Sequence, residues 1–459
     1  MDEQEAQELY TELKELLEAR RMRDLRERLS EMNEFDVAEF LTELEPQPMA
    51  MVFRILPKEQ AAEVFANLDV DAQEHIINTV SDRELGEIIE ELYVDDAVDM
   101  LEELPANVVK RVMRTATSET RDLINQFLQY PENSAGSIMT AEFVDLKKYM
   151  NVRESFARIR RIGADKETIY TCFVTSADRH LEGVVTVKDL LLAKDEDILE
   201  DIMDTNVIHA TTTDDQEEVS TLFSDYDLLA VPVVDREGRL VGIVTVDDVI
   251  DVMEQEATED IEKMAGITPS DKPYARTGAI EIWKNRVPWL LFLMIGATFT
   301  CIIINNFESA LATQAVLIGY IPMLMGTGGN SGSQASVAVI RNLSIGELEF
   351  KDIFSVLWKE LRVALLCGVT LASANFVKLL LVDRLLLHNP EVTIPVAATI
   401  CVTIIFIVFV AKAIGCTLPM IAEKLGFDPA VMANPLITTI LDTLSLLIYF
   451  LVARLMLGI

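Results

Sequence analysis

Cysteine and histidine are scarce in this chain of 459 residues, and neither is clustered. The five cysteines, Cys172, Cys301, Cys367, Cys401 and Cys416, form no CxxC pair, so neither a zinc site nor a disulfide framework is indicated. The four histidines, His75, His180, His209 and His388, are scattered, and no nucleophile motif or kinase-like set accompanies them. An enzyme is therefore not expected. Positive charge is also short, with 39 Lys+Arg against 75 Asp+Glu and a formal net charge of −36. Such a surface repels nucleic acid and attracts divalent cations or basic partners. The opening MDEQEAQELYTELKELLEAR is charged and helical, with no visible cleavable signal peptide, so the soluble part is expected to stay in the cytoplasm.

The charge imbalance is local. Residues 1–277 hold 64 acidic and 28 basic side chains, whereas residues 278–459 hold 11 of each. Solubility accounts for many of these carboxylates one by one. Their sum opposes compactness unless counter-ions bind. The second half reads as membrane-spanning, with expected spans at Pro288–Ile304, Leu311–Met325, Val363–Val382, Ile394–Ile414 and Pro435–Leu457. With the amino terminus inside, the cytoplasmic connections carry Lys284, Arg286, Arg341, Lys351, Lys359, Arg362, Lys412 and Lys424, and the outer loops carry Arg384. That bias supports the orientation.

Two internal repeats organise the soluble half. DVAEFLTEL from Asp36, QAAEVFANL from Gln60 and ELGEIIEEL from Glu84 recur every 24 residues, and DDAVDMLEEL from Asp95 follows half a step later. A step that short, filled by helix pairs, predicts a small superhelix, with Pro46, Pro57 and Pro105 at its turns. Further on, LEGVVTVKDLL (Leu181–Leu191) matches LVGIVTVDDVI (Leu240–Ile250) at an offset of 59 residues, each a strand followed by a helix. These two copies resemble tandem CBS (cystathionine β-synthase-like) modules. The predicted organisation is a helical N domain at 1–131, the CBS pair at 132–253, a connecting helix at 254–277 and a five-helix membrane domain at 278–459.

Two features of the apolar half suggest a cation path. The segment Gly326-Thr-Gly-Gly-Asn-Ser-Gly-Ser-Gln334 lacks the Lys-Ser/Thr of a P-loop. Read as irregular backbone at membrane depth, it would expose carbonyls beside Asn330, Ser333 and Gln334; read as small residues, it would serve close helix packing. Asp442 lies seven residues past Pro435, roughly 10 Å into its span at 1.5 Å per residue. A carboxylate there is costly and ordinarily faces a pore or a partner. Its alternatives are a buried hydrogen bond or an ion pair, but Lys378 and Lys412 are expected to snorkel from span ends. Across a homodimer axis two copies of Asp442 would repel unless a proton or divalent ion lay between them. A ring of carboxylates and carbonyls would hold Mg²⁺ through its hydration shell.

Over essentially its whole length the chain resembles the MgtE family of magnesium channels. The strings carrying the resemblance are EVFANLD (Glu63–Asp69), YVDDAVDML (Tyr93–Leu101), YPENSAGSIMT (Tyr130–Thr140), ATEDI (Ala257–Ile261), GTGGNSGSQAS (Gly326–Ser336) and FDPAVMANPLITTILD (Phe427–Asp442). The resemblance implies a homodimeric, multi-pass protein of the cell membrane, with cytoplasmic N-terminal domains and magnesium as cargo. It places Asp442, Gly326, Gly329 and Asn330 at the pore, together with Ser333, where some members carry Asn. It assigns cytosolic Mg²⁺ sensing to Glu63, Asp95 and Asp99, to Glu217, Asp227, Asp248 and Asp251, and to Glu256, Glu259 and Asp260. Spacing supports part of this, since Asp95/Asp99 and Asp247/Asp251 are i,i+4 pairs that repel unless something positive bridges them. CBS pairs also often bind adenosine nucleotides beside a T-x-x-D turn. Thr186/Asp189 and Thr245/Asp248 fit that pattern, making ATP a candidate ligand. The competing functions are an ion-coupled secondary transporter of divalent cations and a non-transporting membrane Mg²⁺ sensor.

Overall fold

The computed structural model describes residues 3–270, 274, 277–307, 314–432 and 434–458. It divides into two compact units, Met1–Met253 and Glu254–Ile459.

The first unit opens with α1 (Glu3–Glu18) and α2 (Met22–Leu29). Then come α3 (Glu34–Thr42), α4 (Pro46–Phe53), α5 (Lys58–Ala66), α6 (Val70–Thr79), α7 (Asp82–Glu91), α8 (Val94–Glu103), α9 (Ala106–Thr115) and α10 (Ser118–Phe127). Helices α3, α5, α7 and α9 start 24 residues apart, and so do α4, α6, α8 and α10. Each repeat is thus a helix pair, and successive pairs stack. Starts are fixed locally: Asn33, Asp69, Ser81 and Thr117 cap their helices, Ser81 in a reciprocal box with Glu84, and Pro46 sits in a first turn where its missing N–H is harmless. Phe40, Phe65, Ile76, Ile89 and Val112 fill the core between the stacked pairs.

Two three-stranded sheets follow. In the first, β1 (Asp145–Leu146) pairs parallel with β2 (Thr171–Thr175), which pairs antiparallel with β3 (Leu181–Thr186). In the second, β4 (Ala210–Thr211), β5 (Ala230–Val234) and β6 (Leu240–Thr245) repeat that order and those directions. The helices of this region are α11 (Val152–Ile162), α12 (Val187–Leu192), α13 (Leu199–Ile202), α14 (Gln216–Tyr226) and α15 (Val246–Met264). The strand AVPVV of β5 is buried at every position, as its unbroken apolar run requires. One continuous core joins the helical stack to the second sheet through Met139, Val219, Val231 and Val249.

The second unit consists of long helices: α16 (Ala279–Asn306), α17 (Ile321–Ser344), α18 (Ile353–Lys378), α19 (Ile394–Lys424) and α20 (Asn434–Leu457). By length and apolarity, four helical stretches among the described residues could cross a membrane, at Ala279–Asn306, Phe350–Leu386, Ile394–Lys424 and Pro429–Leu457. Helix α17 has 24 residues, but its glycine-rich polar segment keeps it outside that set, so the count of five spans does not follow from composition alone. The expected span at Leu311–Met325 is also corrected. Its first residues lie outside the described ones, Ala315–Tyr320 is a 3-10 turn, and α17 then runs unbroken through Gly326–Gln334. The backbone there closes its own helical hydrogen bonds instead of exposing carbonyls, the arrangement an apolar surrounding favours.

Candidate functional site

In the first unit the carboxylates gather where α8 meets the CBS region. Asp95 is buried, and its Oδ1 has no hydrogen-bond partner. Desolvation first, then Asp96, Asp248, Glu167 and Glu142, hold its carboxyl well above the ordinary range. Burial followed by Asp248 and Glu63 pushes Asp96 up to about 7. Glu167 is pushed up to about 8 by burial and then by Asp248 and Asp247. Asp248 reaches about 6, because burial outweighs the hydroxyl of Thr245, which donates to its Oδ2 over 2.5 Å. Asp99 is exposed on α8, and desolvation followed by the Asp96 charge pushes it up to about 7. Glu63 is raised by desolvation and then by Glu34. The charges acting most strongly on Asp95, Asp96, Asp99 and Glu167 are all carboxylates. Among the described residues no three of these groups converge closely enough to ligate one ion. The crevice is a field of like charge, not a formed coordination sphere.

The structure thus brings Glu63, Asp95, Asp99 and Asp248 into one electrostatic neighbourhood and adds Asp96, Glu142, Glu167 and Asp247, which sequence reasoning did not assign as sensors. The doubled acids Asp95-Asp96 and Asp247-Asp248 carried a signal for two of them; Glu142 and Glu167 join only through the chain fold. Glu217 and Asp227 are not gathered with each other. They flank opposite ends of α14, about 15 Å apart at 1.5 Å per residue. Asp251 is exposed on α15. At the first T-x-x-D turn, Thr186 and Asp189 close a capping box on α12, with Thr186 Oγ1 donating to Asp189 Oδ2 at 2.5 Å.

The second unit holds the connecting-helix acids. Glu256 is half-buried. Lys263 Nζ lies 2.7 Å from Glu259 Oε1 and 2.7 Å from Asp428 Oδ2, and Ser344 Oγ donates to Asp260 Oδ2 over 3.1 Å. Asp260 is raised, by desolvation against the pull of Ser344 and then by Asp428.

Within the long helices, glycine permits contact. A Cβ on Gly328 would strike Ser445, one on Gly332 would strike Leu441, and one on Gly329 would lie 3.2 Å from Thr438. Helix α17 therefore packs its glycine face on α20, which is the close-packing role. Gly326, Asn330 and Gln334 remain exposed on the other face, with Ser333 half-buried beside them. Of the expected pore residues, Gly329 is on the packed side, while Gly326 and Asn330 share the open one. Asp442 is half-buried, one turn beyond Thr438, and makes no hydrogen bond or ion pair among the described residues.

The expected snorkelling of Lys412 is corrected. It is 6% exposed, and its Nζ lies 3.6 Å from Glu360 Oε2. Lys378 Nζ binds the buried Asp383 at 2.9 Å, and Tyr320 OH donates to the same carboxylate at 2.8 Å. Both pairs join positions far apart in sequence or across a π-helical turn, Leu379–Leu386, which helical periodicity does not foretell.

The chain matches three family profiles: a divalent cation transporter family, MgtE, over residues 321–452; the MgtE intracellular N domain over 32–133; and the CBS domain over 199–255. It is 39% identical to the magnesium transporter MgtE of Thermus thermophilus over 455 residues, which is 98% of this chain and 99% of that one. It is 32% identical to the Bacillus subtilis magnesium transporter MgtE, covering 95% and 94%. A crystal structure of the soluble part of a magnesium transporter aligns at a TM-score of 0.53 and 31% identity, over 55% of this chain and 99% of that one. The cytosolic domain of the Mg²⁺ channel MgtE in complex with ATP aligns at 0.50 and 39% identity, over 53% and 99%. With helical stack, CBS pair and apolar helices in the same order and matched nearly end to end, the chain belongs to the MgtE family of magnesium transporters.

Proposed function

We propose that this transporter is a homodimeric Mg²⁺ channel of the cell membrane with five spans, α17 joining the four apolar stretches as the second in chain order. The observation that carries the reading is Asp442: a carboxylate within an apolar helix, without a partner in its own chain among the described residues. A second copy facing it across a two-fold axis, with a hydrated Mg²⁺ between, would satisfy both carboxylates. Gly326, Asn330 and Ser333 on the open face of α17 would line the same path. Gly329 would act there only by letting α17 and α20 approach.

The acid crevice supports a regulatory reading. Carboxylates forced together without a cation relieve their repulsion only in part, by taking up protons. Mg²⁺ entering among Glu63, Asp95, Asp99, Asp248 and Asp251 would replace those protons and hold the helical and CBS parts closed. Glu217, Asp227, Glu256, Glu259 and Asp260 would bind further ions. Moving a closed/open ratio from 1:99 to 99:1 requires roughly 5.5 kcal/mol of differential binding, within reach of several weak sites acting together. ATP, held by a structural relative, would occupy the T-x-x-D turns at Thr186/Asp189 or Thr245/Asp248.

The test is Mg²⁺ uptake into proteoliposomes for wild type, Asp442→Ala and a chain lacking residues 1–131. Channel function requires loss of flux in Asp442→Ala and weakened inhibition by Mg²⁺ in the truncation. Equal flux in wild type and Asp442→Ala would discard the pore assignment. Flux that follows a proton gradient instead of voltage would favour the coupled transporter.

A further inference from the structure

In a chain this acidic, one cavity stands out by its opposite sign. It measures about 350 Å³ and is lined by the first CBS module, with Leu240 of β6 contributed by the second. Phe143, Ile162 and Leu240 give it an apolar floor, and Arg158, Lys166 and Arg179 reach it from three different segments. One carboxylate, Asp145, also lines it but is already neutralised: Arg158 pairs with it, and Lys147 Nζ lies 3.3 Å from its Oδ2. The side chains of Lys166 and Arg179 make no hydrogen bond or ion pair among the described residues. The cavity therefore carries two surplus positive charges.

The second module is built the same way without a cation at two of these positions. Helices α11 and α14 each have 11 residues; the seventh is Arg158 in one and Leu222 in the other. Arg179 and Gly238 each stand two residues before the leucine that opens the next strand, and both have left-handed backbone, at φ 65° and 79°. Glycine adopts that conformation freely, whereas arginine does so with strain. A strained arginine among the residues that line a cavity, at a turn where the sister module uses glycine, marks a site and not a folding need.

We infer that this cavity binds a small organic anion bearing a phosphoryl group, separate from the T-x-x-D turns. A phosphomonoester carries close to two negative charges at neutral pH, which matches the surplus, and a guanidinium grips it through two parallel donors. The volume falls at the lower end of small-ligand pockets, about 300–1,000 Å³, and the apolar floor suits a ring or short carbon skeleton. The site stands independently of the pore assignment.

Calorimetric titration of the full chain in detergent micelles, free of Mg²⁺, would use phenyl phosphate, inorganic phosphate and phthalate as probes. The expected result is saturable binding of phenyl phosphate, stronger than of the other two and weakened about tenfold in R179G and in K166A. R179G restores the residue the sister module uses, so its thermal midpoint should not fall. Unchanged affinity in R179G, or no saturable binding of any probe, would overturn the proposal. Equal binding of inorganic phosphate would assign the cavity to the free ion, and equal binding of phthalate to dicarboxylates; either overturns the organic phosphate. Capture of phosphatidylglycerol vesicles that R179G abolishes, with no phenyl phosphate bound, would replace the small molecule by a lipid surface.

Discussion

Gly415 of α19 lies directly against the carbonyl oxygen of Gly332 in α17; a Cβ on Gly415 would collide with it. Two helices meet there backbone to backbone. In an apolar surrounding, association rests on such close packing more than on burial from water.

Gly415→Ala should therefore lower the thermal midpoint of the detergent-solubilised protein, with a loss of about 1–3 kcal/mol from overpacking against atoms that cannot swing away. Gly326→Ala, with nothing within 4 Å of its added methyl, should leave the midpoint unchanged. Equal losses in the two variants would refute the packing argument.

The pair between Lys412 and Glu360 has side chains only 7% and 17% exposed. Removing one partner strands a buried charge. Lys412→Met or Glu360→Leu alone should each cost about 3–5 kcal/mol, and the double variant should recover most of it. A thermal-stability cycle of the four proteins measures this, and additive losses would count against the pair.

Asp383 holds Tyr320 and Lys378 together near the start of α17. Tyr320→Phe leaves Lys378 in place and should destabilise by about 1.5–3 kcal/mol, the range for a hydrogen bond to a charged group. Asp383→Ala, which strands both partners, should cost more. Melting curves ordered otherwise would show that the carboxylate does not organise this corner.

The acid crevice makes a signed prediction about pH. Asp248, Asp96 and Glu167 have folded-state values of about 6, 7 and 8, all above those of free carboxylates. The folded crevice therefore binds more protons than the unfolded chain across that window. Its stability is greatest below about pH 4 and declines as pH rises through 6 to 8. In EDTA, limited proteolysis of the full chain should be faster at pH 8 than at pH 5.5, and Mg²⁺ or Asp96→Asn should reduce the difference. A pH-independent rate would contradict it.

The sequence made the repeats legible because both are periodic. A 24-residue step and a strand-helix copy at an offset of 59 both survive in the fold. It singled out Asp442 because an isolated charge in an apolar run needs no partner to be seen. It left the shape of Gly326–Gln334 open, since glycine signals both irregular backbone and close helices, and only neighbours such as Thr438 and Ser445 decide between them. Nor could it pair Lys412 with Glu360, or bring Glu142 and Glu167 to Asp95. Those contacts join segments with no shared period.

The 24-residue step of the helical stack also constrains how this domain can change in length. Inserting or removing a few residues within a helix turns the rest of that helix's apolar face away from the stack, whereas a whole repeat preserves the register of α8 against its neighbours. Reach in this domain is quantised: lineages can lengthen or shorten the stack only in whole coils, about three turns down and three turns back each time.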